Sequence, residues 1–363
     1  MTLALSSNNW RDRLLLISPF FFWGTAMVAM KGVLPETSPL FMGAIRILPA
    51  GFLILLVSVL MGRSQPKSLK AWFWIVLFGL VDGTMFQGFL ALGLERTSAG
   101  LGSVMIDSQP LAVAILALIL YGERVGPLGW FGLLLGVIGI SLIGLTSAGV
   151  SGFGFNAIAH FQLGDLGHWI MQGLNQGEIL MLMAALSMAV GTVMIRKVSE
   201  HADAVTATGW HLVFGGIPLL AASLMLDTNQ VANLSLHHWG AIAYASVFGS
   251  AIAYGLFFYF ASKGNLTSLS SLTFLTPVFA LIFGNIFLGE VLNSIQFFGV
   301  LVTLVSIFLV NQRELLESLI QNTELSFTEK LYELLGLSSQ KQAPEAVSVA
   351  VESKSPLKKT SLK

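Results

Sequence analysis

Apolar residues along this chain gather into long uninterrupted runs. A helix that crosses a bilayer needs about 20 mostly apolar residues. Runs of this kind occupy 14–33, 38–60, 70–92, 98–120, 127–145, 177–196, 205–226, 238–260, 266–288 and 295–312. Turn and charge signals separate them, as in Gly62-Arg63 with Pro66, Gly122-Glu123-Arg124 with Pro127, and Lys263-Gly264-Asn265. Strand-like alternation is missing, and the runs are too long for the ~10-residue segments of a membrane barrel. The pattern therefore predicts an all-α integral membrane protein with ten transmembrane helices.

Composition agrees and adds an orientation. Of 363 residues, 55% are hydrophobic and 10% charged, whereas a soluble chain carries roughly a quarter charged residues. Residues 313–363 hold 14 of the 38 charged side chains, so the body is apolar and the tail ordinary. Cytoplasmic loops of membrane proteins are enriched in Lys and Arg. With a cytoplasmic N-terminus, Arg11, Arg13, Arg63, Lys67, Lys70, Arg124, Arg196, Lys197 and Lys263 lie inside. Only Lys31 and Arg96 lie outside, and both termini are then cytoplasmic in a plasma (inner) membrane. The first run follows Arg11 and Arg13 but lacks a convincing small-residue cleavage site, so it reads as an uncleaved helix.

The chain repeats itself at a shift of 167 residues. Gly24-Thr25 falls on Gly191-Thr192, Trp72 on Trp239, Pro110 on Pro277, Gly122-Glu123 on Gly289-Glu290, and Phe131-Gly132 on Phe298-Gly299. Each copy holds five helices. An odd number makes the copies enter the membrane from opposite sides, as an inverted repeat. Such a pair has two nearly equivalent arrangements around one shared site, which is the geometry of alternating access. The expected organisation is a cytoplasmic N-terminus (1–13), a first repeat (14–145), an extracytoplasmic connection (146–176), a second repeat (177–312) and a cytoplasmic tail (313–363).

Trp23-Gly24-Thr25, Arg46, and the paired Pro…Gly-Glu stretches at 110–123 and 277–290 resemble the drug/metabolite transporter superfamily, specifically its EamA-type exporters. The resemblance covers about 14–145 and 178–312. It implies a ten-helix carrier, often an exporter of amino acids or related metabolites, from a family whose substrates are too varied to transfer one. The connection at 146–177 and the 51-residue tail depart from a minimal member.

Three ionisable residues sit deep in apolar runs: Arg46, Asp82 and Asp107. Each costs about 2.5–3.5 kcal/mol at a helix centre on insertion scales, so each calls for a reason. One is a polar cavity, with Arg46 facing a substrate carboxylate and Asp82 or Asp107 an amine or a proton. The other is an internal Arg–Asp pair. Their repeat equivalents are Val213, Gly249 and Phe274, so the charge is one-sided. Trp23, Gln87, Gln109, Trp210, His211 and Tyr254 are further candidates for the cavity wall, against a packing role for the aromatics and a neutral hydrogen-bonded state for His211. Pro110 and Pro277 are expected to kink helices four and nine near mid-depth and to act as hinges, because proline removes a backbone hydrogen bond. Glu123 and Glu290 follow those helices, where a negative charge opposes the helix dipole; gating contacts or plain loop structure would account for them.

Other patterns narrow the function. Balanced charge, 19 basic against 19 acidic residues, argues against nucleic acid. No cysteine occurs, and His160, His168 and His237-His238 lack metal-site spacing, so no metal or cofactor is expected. No phosphate-binding GxxxxGK[ST] loop appears. Gly132, Gly136 and Gly139 make a close-packing face on helix five. Phe153, Phe155 and Trp169 suggest that the 146–177 connection lies along the outer interface. Leu315, Leu316, Leu319 and Ile320 form an amphipathic stretch within 313–337, and 338–363 reads as disordered. The expected partners are the lipid bilayer and a small-molecule solute. The expected function is a secondary carrier, with proton coupling and a homodimer left open. A membrane-embedded lipid-modifying enzyme is the alternative, although no His–Asp–Ser spacing supports one.

Overall fold

The structure is a computed structural model that describes residues 10–96, 105–147, 177–288 and 294–334. Its contacts divide the chain into Met1–Glu314 and Leu315–Lys363. Of the second unit, residues 315–334 are described, and they are helical. The 148–176 connection, Glu290 and the 335–363 stretch lie outside the described residues.

Among the described residues ten helices follow in order: α1 (Trp10–Lys31), α2 (Pro39–Leu60), α3, α4 (Gln109–Tyr121), α5 (Pro127–Ser147), α6 (Gly177–Ser199), α7 (Ala204–Leu226), α8, α9 and α10 (Ser294–Leu334). Helix α3 runs as Leu69–Phe78 and Gln87–Arg96 around a π-helical stretch, Gly79–Phe86. Helix α8 runs as Leu236–Ser246 and Ala253–Lys263 around another, Val247–Ile252. Helix α9 starts as Leu266–Ser271, tightens through a 3-10 turn at Leu272–Phe274 and continues as Leu275–Leu288. No strand occurs among the described residues. Among the described residues eight helical segments are long and apolar enough to cross a membrane, and α4 and the apolar part of α5 are shorter. Leu60, Ile119, Leu224, Phe287 and Phe308 are exposed on the outside of the bundle, the surface that lipid tails cover.

Polar residues start these helices where the sequence punctuates. Ser38 accepts a hydrogen bond from the Phe41 amide at 3.3 Å, Ser68 from Ala71 at 3.1 Å, and Asn265 from Ser268 at 2.7 Å. Asp203 accepts from the Val205 and Thr206 amides, each at 3.1 Å. Such caps satisfy amides that have no partner within the helix. His238 closes a capping box with Ser235 at the start of α8. Gly122 ends α4 with φ +65°, where a side chain would be strained.

Three expectations need correction. The runs at 70–92 and 238–260 are not plain α-helices, since each widens into a π-helical stretch at its centre. These stretches are equivalent under the 167-residue shift, so the duplication extends to backbone irregularity. Pro110 is not a mid-helix kink: it lies in the first turn of α4, after a turn at residues 107–108. Pro277 does stand near the middle of the Leu266–Phe287 span, just after its 3-10 turn and in the first turn of Leu275–Leu288. Proline fits there because the first helical amides need no partner. Both prolines therefore restart helices that have been interrupted.

The repeats meet along a seam of small residues. Helix α2 packs chiefly against its own repeat equivalent, α7. A methyl added at Gly51 would lie 2.8 Å from Val213, and one at Gly209 would lie 2.8 Å from Leu55. The α3 π-helical stretch packs on α7 as well, and a methyl at Gly83 would lie 2.6 Å from the Gly215 Cα. Helix α5 lies against α10 through Gly132 and Gly139, whose neighbours are Val310 and Thr303, and Ser306 Oγ donates to the Gly132 carbonyl at 2.6 Å. In lipid, where apolar burial drives little, such close approach is what joins helices.

Candidate functional site

Between the repeats lies a cavity of about 170 Å³, sized for a small solute. Its wall is mostly apolar, with Met27, Met30, Met42, Phe86, Leu90 and Met188 among the lining residues. Methionine side chains adapt to irregular shapes, and so this wall suits a varied apolar body. Leu34, from the connection between α1 and α2, and Pro39, the first residue of α2, form part of the wall. The cavity therefore reaches the end of the bundle where that connection lies.

Six of the nine cavity candidates named from sequence line this space: Trp23, Arg46, Gln87, Asp107, Gln109 and Tyr254. They converge from α1, α2, α3, α4 and α8 and from the turn before α4. Arg46 donates to Gln87 Oε1 and makes a long contact to Met30 Sδ at 3.9 Å. Gln87 in turn donates from Nε2 to the Tyr254 hydroxyl at 2.7 Å. Gln87 and Tyr254 are equivalent under the 167-residue shift, so this bond spans the pseudo-two-fold relation itself. Gln109 donates to Thr192 Oγ1 at 3.1 Å, tying α4 to α6. The Trp23 ring stands edge-on to Tyr254, with centroids 5.4 Å apart.

Three buried polar atoms in this wall have no hydrogen-bond partner: Trp23 Nε1, Arg46 Nε and Thr276 Oγ1. Buried donors are nearly always satisfied, and an unmade bond costs about 1–3 kcal/mol. Two of the three can only donate, and all three lie on one cavity. Thr276 is the repeat equivalent of Gln109. With Pro277 it forms the pair that the sequence marks, like Gln109-Pro110, as a hinge and cavity-wall candidate.

The other three candidates lie elsewhere. Asp82 does not face the cavity and does not pair with Arg46; its Oδ2 lies 3.1 Å from His211 Nε2, with neither side chain exposed. Trp210 packs on Trp72 and Phe214 and donates from Nε1 to Gln65 at 3.0 Å. Trp210 and His211 are successive residues on one helix and so point about 100° apart; only His211 faces inward.

Glu123 closes the opposite end of the bundle. Its carboxylate accepts from the Leu266 and Thr267 amides at 3.2 and 2.9 Å, capping α9, and pairs with Arg196 at 3.3 Å. Arg196 also donates to the Gly264 carbonyl and lies 5.0 Å over the Tyr121 ring. Arg313 donates to Ser268 Oγ at 3.0 Å and Asn265 Oδ1 at 3.3 Å beside it. The dipole conflict expected at Glu123 is thus resolved by a guanidinium and by a second helix's N-terminus. Counting crossings, these groups follow four, six and eight spans and the α1–α2 connection follows one. The ion-pair cluster and the cavity's Leu34–Pro39 rim accordingly lie at opposite faces.

Comparison with known proteins gives this geometry a setting. The family described as EamA-like transporter family matches residues 13–145 and 175–312. A Synechocystis protein described as an uncharacterized transporter is 58% identical over 313 residues, 86% of this chain and 93% of its own. The chloroplastic WAT1-related protein of Arabidopsis thaliana is 53% identical over 300 residues, 82% of this chain and 68% of its own. One solved crystal structure superposes with a TM-score of 0.67 at 15% identity, covering 82% of this chain and 94% of the other; that likeness concerns the fold.

Proposed function

This chain belongs to the EamA-like transporter family, a multi-pass membrane transporter, and from that premise we propose that it is a secondary carrier exporting a small amphipathic metabolite by alternating access between its two five-helix repeats. The observation that carries this reading is the set of unpartnered polar atoms, Arg46 Nε, Trp23 Nε1 and Thr276 Oγ1, gathered on one otherwise apolar cavity. A solute that brings an acceptor group, such as a carboxylate, satisfies the Arg46 and Trp23 donors. Its apolar body rests on Met30, Met42 and Met188. Asp107, on the same wall, offers a carboxylate to an amine. An amino acid or a close relative has both groups. A phosphorylated solute fits less well, because phosphate calls for several cations and Arg46 is the one Lys or Arg on this wall among the described residues.

Alternating access assigns roles to the remaining residues. Glu123, Arg196 and the α9 cap form the closed gate at one face while the cavity reaches the other. Pro110 and Pro277 mark the interrupted helices that flex as the gates exchange. The Lys and Arg distribution supports a plasma (inner) membrane orientation with both termini cytoplasmic, which makes the closed gate the cytoplasmic one. Metabolite efflux from overexpressing and deleted cells, followed by flux in liposomes, tests the reading. A carrier gives saturable flux that Asp107→Asn reduces by tenfold or more. Flux that never saturates would identify a pore instead.

A further inference from the structure

The Asp82–His211 pair is used by nothing described so far. It joins the two repeats, Asp82 from the π-helical stretch of α3 and His211 from α7, 129 residues apart in the chain. His211 Nδ1 lies 2.7 Å from the Thr208 carbonyl. A carbonyl oxygen can only accept, so Nδ1 carries its proton. The neutral ring then presents a lone pair at Nε2, 3.1 Å from Asp82 Oδ2. That contact holds only with a second proton on the line between Nε2 and Oδ2. Remove that proton and a lone pair faces a carboxylate in a fully buried site.

The surroundings make this proton consequential. Asp82 Oδ1 is buried with no hydrogen-bond partner. Phe78 stacks on the His211 ring with centroids 4.1 Å apart, and Phe258 meets it edge-on at 5.3 Å. Gly191 of α6 brings its backbone directly against the Asp82 side chain. Gly83, next in sequence, has its backbone against Gly215 of α7. The charged or titratable groups that face the pair are Tyr254 of α8 and, beyond Gln87, Arg46 of α2. The Tyr254 ring lies 6.3 Å from that of His211 and also lines the cavity, so the cavity stands one side chain away.

We infer that Asp82 and His211 form a one-proton binding site whose occupancy holds α3 against α7, and that it couples solute movement to a proton. This rests on the carrier reading above. With the proton in place the seam is closed as described. Release to water through the cavity leaves the pair mutually repulsive, and α3 shifts on α7. Rebinding from the other face restores the contact, so one proton crosses per cycle.

The test uses the full chain in lipid nanodiscs with no solute added. Nitrogen NMR of histidine-labelled protein reads His211, identified by the resonance lost in His211→Gln. The chain has no cysteine, so spin labels at Glu95→Cys and Thr228→Cys report the distance between the far ends of α3 and α7. The expected result is one pH-dependent change in the His211 resonances, a distance change with the same midpoint, and loss of both in Asp82→Asn. A His211 resonance that never shifts overturns the inference, as does a distance whose pH response survives Asp82→Asn. Should Asp82→Asn fail to fold, the wild-type titrations decide: coincident midpoints support coupling, and an unmoving imidazole or a static distance refutes it. Because no solute is present, a chain that titrates and moves as expected yet carries nothing in vesicles keeps the proton site and loses the carrier reading.

Discussion

At the residue scale, the cavity depends on one guanidinium among thioethers and aromatics. Hydrogen bonds to a charged group contribute about 1.5–3 kcal/mol, which is roughly 10- to 100-fold in affinity. Arg46→Gln should therefore weaken uptake of labelled phenylalanine or methionine into inverted vesicles by at least tenfold; unchanged uptake of every carboxylated solute tried would remove Arg46 from the site. Gln87→Leu tests the bond network, because it leaves Arg46 and the Tyr254 hydroxyl without their shared partner. It should lower the thermal unfolding midpoint, at a cost of about 1–3 kcal/mol. Arg46, Gln87 and Tyr254 were legible in the sequence, since polar groups stand out in apolar runs. The Asp82–His211 contact was not, because nothing local to either residue indicates a partner in the other repeat. Its reading as a candidate for an Arg–Asp pair named the wrong partner.

At the element scale, the departures from regular helix concentrate beside the cavity. The π-helical stretches of α3 and α8 immediately precede Gln87 and Tyr254, and an extra residue in the turn re-aims the side chains that follow. Composition gives no signature for such a stretch. The prolines were visible but placed in kinks, although a proline after a turn belongs in a first turn. Gly83→Ala tests the seam: a methyl against the Gly215 backbone should cost roughly 1–3 kcal/mol as overpacking and lower the midpoint of thermal unfolding, whereas an unchanged midpoint would mean that α3 and α7 are not in such close contact. Glu123→Gln removes the charge that pairs with Arg196 and caps α9. It should raise the reactivity of a cysteine introduced on the cavity wall toward an impermeant reagent applied at the Glu123 face; equal reactivity would show that Glu123 is only loop structure.

At the scale of the whole molecule, the duplication was the most legible feature, because a constant shift across five helices fixes helix count, loop lengths and inversion together. What it could not give was the asymmetry. Arg46 and Asp107 have apolar counterparts in Val213 and Phe274, and Arg196 corresponds to Ala29, so the two halves share a frame while one cavity carries unequal chemistry. Inversion also requires the two chain ends to lie on one side of the membrane, and tags on each should be protected together. The most direct measurement places one thiol on the cavity wall, as Thr276→Cys, in a chain with no other cysteine. Alternating access predicts that impermeant thiol reagents reach it from either face, and that Glu123→Gln speeds labelling from the gate side while slowing it from the other. Labelling from one face alone, or equal acceleration from both, would contradict a shared cavity that opens to one side at a time.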